Sequence, residues 1–195
     1  MAPPATHLAP PESDATSSLA AVAAWETGPL SRRHARERRL ARDLVELSRL
    51  ERGRERAGLA TVDLARLVGA IRADYPHVEV SGPAPALVHS DSRRLARILF
   101  VLLDNAALHG AAPVHLDYDT GAIEIRDGGE GFAPALLARL TEPFVTAHRA
   151  SGIGVGLGLA IAARQAALLG AELELGNHAG GGARAQLRLS TPAVP

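Results

Sequence analysis

The sequence predicts an α/β domain, a two-layer sandwich of a mixed β-sheet with helices on one face, preceded by a helical segment. Three observations predict it. From Thr61 onward, stretches with apolar residues every three or four positions interleave with short stretches that alternate apolar and polar. Glycine and proline punctuate the boundaries, as at Gly53, Gly82-Pro83 and Gly110. Of 195 residues 47% are apolar, enough for one proper core and a smaller appendage.

The elements follow in order. Residues 1–17, rich in Pro, Ala, Ser and Thr, read as a disordered leader. They lack the basic and apolar regions of a secretory signal. Residues 18–26 suit a short helix stopped by Gly28-Pro29. Residues 31–52 form a long helix, with Ser31 as N-cap and Leu40, Leu44, Leu47 and Leu50 on one stripe. That narrow stripe between charged flanks suits pairing with another helix; the alternative is a helix lying on its own domain's core. Residues 61–73 predict a second helix through Leu64, Leu67, Val68 and Ile71, with Asp63 near its start.

Residues 78–80 and 86–89 alternate like strands around Gly82-Pro83. Asp91 opens a third helix that carries Leu95, Ile98, Leu99, Leu102 and Leu103 as far as His109, where Gly110 ends it. Residues 114–118 and 122–126 make a hairpin around Asp119-Thr120-Gly121. A short helix at 134–140, a loop over 141–152 and a helix at 156–169 come next. Strands at 172–176 and 183–189 close the chain. The expected division is a leader at 1–17, a helical segment at 18–58, the α/β domain at 59–191 and a tail at 192–195.

Composition narrows the chemistry. Formal net charge is zero, so nothing in the total points to nucleic acid or an anionic membrane surface. No apolar stretch reaches the roughly 20 residues of a membrane span. Cysteine is absent, which removes disulfides, thiolate metal sites and cysteine nucleophiles. Lysine is absent too, so phosphate contacts fall to arginine, histidine or backbone N–H groups. Biased codon usage explains the same absence without any function.

Four local features carry chemistry. In Leu102-Leu103-Asp104-Asn105-Ala106-Ala107-Leu108-His109, an amide sits inside an apolar helix. Its oxygen is a hard donor suited to Mg²⁺, Asp104 lies beside it, and His109 follows one turn later, so both Asn105 and His109 can face one pocket. A polar edge of an amphipathic helix accounts for the same residues. In Asp127-Gly128-Gly129-Glu130-Gly131-Phe132, a strand-end carboxylate can accept from an amino group such as adenine's, and the glycines allow close approach. Glu142-Pro143-Phe144-Val145-Thr146-Ala147-His148-Arg149 reads as a lid with one buried aromatic anchor, or as an ordinary surface loop. In Gly152-Ile153-Gly154-Val155-Gly156-Leu157-Gly158-Leu159-Ala160, a glycine-rich run enters a helix and offers N–H groups to phosphate; close helix packing is the alternative.

In order and spacing, these four features resemble the N, G1, F and G2 boxes of sensor histidine kinases. Those enzymes belong to the wider ATPase group that includes gyrase, Hsp90 and MutL. The resemblance covers residues 62–189. Upstream, Leu47-Ser48-Arg49-Leu50-Glu51-Arg52-Gly53 followed by Val62-Asp63-Leu64 is similar to the end of a dimerisation hairpin and its link to the ATPase domain. The resemblance implies a histidine kinase-type ATPase fold and ATP with Mg²⁺ as ligands. It places Asp104, Asn105 and His109 at the catalytic centre, with Asn105 as the Mg²⁺ ligand. Asp127 would hold the adenine amino group beside Gly129 and Gly131. Phe144 and Thr146 would serve the lid, with His148 and Arg149 on it. Gly154, Gly156, Leu157 and Gly158 would form its hinge and the phosphate-side wall.

The sequence departs from the family in places. Val101 stands where a second polar residue is frequent, and Ala183 follows Gly181-Gly182 where a threonine often helps hold adenine. The family's phosphoacceptor histidine, with an acidic neighbour and a proline five residues on, has no good counterpart. His34 lies too near the Leu47–Leu50 stretch and is followed by Ala35-Arg36, while His7 sits within Thr6-His7-Leu8-Ala9-Pro10.

The implied activity is transfer of the ATP γ-phosphoryl group to a histidine, in cis or on a partner. The expected partners are a response regulator or a histidine-bearing protein, and a second copy paired through helix 31–52. The expected location is cytoplasmic, including as the soluble part of a membrane-associated system. Two other readings remain: a regulatory ATP-binding module without histidine kinase activity, with an anti-sigma or serine kinase variant, and a scaffold with a dead pocket.

Overall fold

The computed structural model describes residues 29–146 and 155–190. The chain divides into a smaller unit, Met1–Arg42, and a larger one, Asp43–Pro195. The leader, the helix expected at 18–26 and the tail lie outside the described residues.

Helix α1 runs Pro29–Glu51. Proline opens it because the first helical N–H needs no partner, and Gly53, at φ +62°, turns the chain out of it. From Asp43 on, α1 belongs to the larger unit. There Leu47 and Leu50 are buried, while Leu44 and Val45 are exposed. Arg97 joins the buried side of the helix through Asp43 at 2.8 Å and Glu46 at 2.8 Å. The leucine stripe is therefore split: its last two members are buried, and Leu44 is exposed.

Strand β1 (Ala60–Asp63) precedes α2 (Leu64–Arg72). The helix expected from residue 61 thus starts three residues later. β-branched Thr61 and Val62 extend instead, with Val62 opposite Val88, and Asp63 caps α2 by accepting from the Ala65 N–H. Strands β2 (Val78–Ser81) and β3 (Leu87–Ser90) follow. They do not pair across Gly82-Pro83. β3 pairs antiparallel with β1 in a two-stranded sheet, and β2 pairs parallel with β4.

Helix α3 (Ser92–His109), strands β4 (Val114–Tyr118) and β5 (Ala122–Asp127), helix α4 (Gly158–Leu168) and strands β6 (Glu172–Asn177) and β7 (Ala183–Arg188) complete the domain. The short helix expected at 134–140 is a 3₁₀ helix, Pro134–Arg139. The main sheet has the order β2-β4-β5-β7-β6, antiparallel except for β2 with β4.

This mixed sheet has helices on one face. Leu116, Ile123, Ile125 and Leu187 point inward and share one core with Val68 of α2, Leu95, Ile98, Leu99 and Leu103 of α3, and Ala162 and Ala166 of α4. The alternate residues form charged ladders on the other face, such as Arg126 with Asp117 and Arg184 with Glu124. Burial on the inner face stabilises each large side chain by about 1.5–3 kcal/mol.

Candidate nucleotide site

The N-terminus of α3 is fixed by Asp91. Its carboxylate accepts from the N–H groups of Arg93 (3.0 Å), Arg94 (3.3 Å) and Gly58 (2.9 Å). Burial works against its charge, but those N–H groups and the Arg94 guanidinium hold its pKa below the usual carboxylate range. Nearby, Arg94 donates to Gln165 of α4 at 2.5 Å, and Gln165 donates to Glu46 of α1 at 2.8 Å. Helix α3 is thereby clamped at its start, and its far end can present side chains from a fixed axis.

At that far end, Val101, Asn105 and His109 follow one another at four-residue intervals along one side of α3. Gly158, the first residue of α4, lies against this row: a Cβ there would sit 3.3 Å from Val101 Cγ1. Asn105 is half-buried, and its side chain makes no hydrogen bond among the described residues. His109 is exposed at the last position of the helix. Asp104 lies round the helix from this row, where its Oδ1 accepts from the Tyr75 hydroxyl at 2.6 Å. Tyr75 is buried, and its ring lies 6.2 Å from that of Phe100.

β5 ends in Asp127, which is only 8% exposed. Its Oδ1 accepts from Gly129 N–H at 2.9 Å and from Ala183 N–H at 3.3 Å. Its Oδ2 has no hydrogen-bond partner among the described residues. Glycine is required at 182: with φ at +85°, a Cβ there would collide with the Asp127 carbonyl oxygen. Gly110, just past α3, also presses on Asp127, since a Cβ there would lie 2.5 Å from Asp127 Cγ. The end of α3, the end of β5 and the β6–β7 turn therefore meet around one carboxylate.

The third feature meets the fourth through the backbone. Phe144 N–H donates to Gly156 O at 2.8 Å. Gly156, at φ +74°, leaves no room for a side chain, because a Cβ would lie 2.5 Å from Val145 O. The Phe144 ring itself is 48% exposed, so the expected buried aromatic anchor is a main-chain anchor instead. Thr146 is half-buried on the same segment, and Leu157 is buried. Leu157 caps α4 with no side-chain hydrogen bond, and no acidic residue follows in the first turn. Among the described residues no side chain satisfies the N–H groups there, which suits an anion. Gly154, with Gly152, Ile153, His148 and Arg149, lies outside the described residues.

A half-satisfied carboxylate, an unpaired amide and an uncapped helix N-terminus thus come from elements that share one core. The sequence pattern of the family described as Histidine kinase-, DNA gyrase B-, and HSP90-like ATPase matches residues 90–193. The chain belongs to this ATPase family.

Among its curated relatives is the sensor protein CseC of Streptomyces coelicolor, 42% identical over 152 residues, covering 77% of this chain and 30% of that protein. The chain spans less than a third of the length of the curated sensor proteins it matches first. Among solved structures, full-length ShkA in complex with AMPPNP is 29% identical with a TM-score of 0.63, over 78% of this chain and 36% of that one. The ATP-binding domain of PrrB from Mycobacterium tuberculosis is 30% identical with a TM-score of 0.55, over 69% of this chain and 98% of that one.

Three residues of this ATPase-family site were not singled out from the sequence. Tyr75 reaches Asp104 across 29 positions, and nothing local in Asp74-Tyr75-Pro76 signals that contact. Gly182 stood out only as part of a glycine cluster. Asn177 donates to and accepts from the backbone of Phe132, a pairing 45 positions apart.

Proposed function

We propose that this chain is the ATP-binding catalytic part of a two-component sensor histidine kinase, with residues 59–191 as its ATP-binding domain. Asp127 carries the reading. One of its oxygens is held by two backbone N–H groups, which leaves the other to accept from the adenine amino group. Gly129 and Gly131 line that wall. Asn105 would bind Mg²⁺. Its unpaired amide oxygen fits a hard cation that takes few protein ligands and completes its shell with water and phosphate. Among the described residues no cluster of three acidic or histidine side chains competes for a metal. When bound, the cation supplies charge neutralisation on the phosphates.

The chain's own residues do the positioning. The uncapped start of α4 at Leu157 and Gly158 directs N–H groups at the triphosphate. Phe144, Thr146, Gly154 and Gly156 form the lid and its hinge. His109 follows Asn105 by one turn, exposed where an acceptor side chain would approach, and Asp104 would act from round the helix, where the Tyr75 hydroxyl holds it. Phosphoryl transfer needs chiefly such positioning and charge stabilisation.

The acceptor is a histidine in cis or on a partner. His34 is exposed on α1, and His7 lies outside the described residues. A response regulator is the downstream partner, and a second copy pairs through the helix at 31–52. No helix among the described residues is long and apolar enough to cross a membrane, and the working location is the cytoplasm. A second reading, an ATP-binding regulatory module without transfer, is favoured by Val101 and Ala183, neither of which brings a polar side chain to the site. Incubation with labelled Mg-ATP separates the two. Acid-labile phosphate on this chain or on an added histidine-bearing acceptor domain supports the kinase. Saturable ATP binding with no label on either supports the module.

A further inference from the structure

We propose that Asn177 is a positioning residue for the purine side of the site, fixing the loop after Asp127 so that the free carboxylate oxygen keeps its direction. This rests on the nucleotide reading above. Asn177 is the last residue of β6, opposite Ala183 in the register of β6 with β7. Its side chain bonds the loop twice: Phe132 N–H donates to Oδ1 at 2.7 Å, and Nδ2 donates to Phe132 O at 2.9 Å. That pair satisfies both main-chain groups of one residue, as a neighbouring strand would. Gly131 is pressed against the amide, since a Cβ there would lie 2.6 Å from Oδ1.

The geometry ties the loop at both ends to the same hairpin. At the near end, Ala183 N–H holds Asp127 Oδ1. At the far end, Asn177 holds Phe132. Between them Gly129 N–H gives Asp127 its other bond. With the far end released, residues 128–132 keep only the anchors at their near end, Gly128 N–H on the Ala111 carbonyl and Gly129 N–H on Asp127. Gly129 then moves with them, and Asp127 turns more freely about its remaining bond to Ala183. The cost falls on recognition of the base amino group and not on the phosphate side, which is built by α3 and α4.

Calorimetry on the full chain with Mg-ATP and Mg-ITP tests this, because inosine carries an oxygen where adenine carries the amino group. The wild type is expected to prefer ATP. Asn177→Ala should raise the Kd for ATP about tenfold, the equivalent of one hydrogen bond, and leave ITP nearly unchanged, so the preference collapses. Asn177→Asp is the second variant. It keeps the acceptor for Phe132 N–H but sets a carboxylate against the Phe132 carbonyl, and should show the same collapse even if the alanine variant folds poorly. Equal weakening of ATP and ITP in both variants, or an unchanged ATP Kd, overturns the proposal. A wild type that binds neither nucleotide at millimolar concentration overturns the nucleotide reading itself, and this inference with it.

Discussion

The two ends of α3 are built on opposite terms. At its start, Arg97 meets Asp43 and Glu46, and Arg94 meets Glu55, Gln165 and the Arg56 carbonyl, so most of the polar groups there are engaged by the chain, Arg94 Nε excepted. Toward its end, Asn105 has no hydrogen-bond partner among the described residues, and Asp127 opposite keeps one oxygen open. Burying a polar group without a partner costs about 1–3 kcal/mol. Neither group incurs it in full, because the open atoms of Asn105 and Asp127 are not among the fully buried, unpaired side-chain atoms of the described residues. The contrast separates residues that hold the domain together from the one proposed to bind the cation, within one 18-residue helix.

Substitutions can break this contrast from either side. The largest effect is expected at Asp127→Asn. The amide keeps an acceptor for Gly129 and Ala183 but can turn a donor toward the adenine amino group, so ATP affinity should fall roughly 100-fold or more. The melting temperature should stay within a few degrees, and calorimetry with a thermal melt measures both. Arg97→Ala should do the reverse. It strands Asp43 and leaves Glu46 only its bond from Gln165, costing about 1–2 kcal/mol, and lowers the melting temperature by about 2–8 °C, while ATP affinity changes less than about twofold. Burial works against the Arg97 charge, but Glu46 and Asp43 hold its pKa above the ordinary value.

Asp91 sharpens the comparison through pH. Its folded pKa lies below the unfolded value, so its contribution to stability is present above the unfolded carboxylate pKa and is lost as pH falls through the folded one. Asp91→Asn should remove about 1 kcal/mol at neutral pH and flatten the acid limb below about pH 4. A denaturation series at fixed ionic strength reads this, and an unchanged acid limb would count against it. The smallest effect on stability is expected at Asn105→Leu. Replacing an unpaired amide by an apolar side chain should leave stability unchanged or raise it by up to about 1 kcal/mol, while phosphoryl transfer is lost. A clear fall in stability would mean that Asn105 has a structural role after all.

Much of this was legible in the sequence because it is local. The 3.6 period of α3 and the alternation in β4, β5 and β7 are set within a few residues by which face meets the core. The glycine-rich run and Asp127-x-Gly129-x-Gly131 were legible for the same reason, since backbone turns need glycine where they occur. What sequence reading missed is non-local. Thr61–Asp63 looked helical because Leu64, Leu67 and Val68 continue its period, and only pairing with β3 draws it into a strand. Nothing near Tyr75 or Asn177 announces Asp104 or Phe132, because those hydrogen bonds depend on which strands become neighbours. Phe144 was read as a buried anchor on hydrophobicity alone, but there the main chain makes the contact.

The bond from Ala183 to Asp127 also has a meaning in time. The carboxylate on β5 acquires its second N–H donor only when β7, 56 residues later, has been added to the sheet. On a ribosome, the helices and β5 can be complete while this wall is still missing, and the last strand to emerge closes it. On the proposed reading, nucleotide binding therefore waits for β7, and a product cut short before it would be expected to keep much of the core and lose ATP affinity.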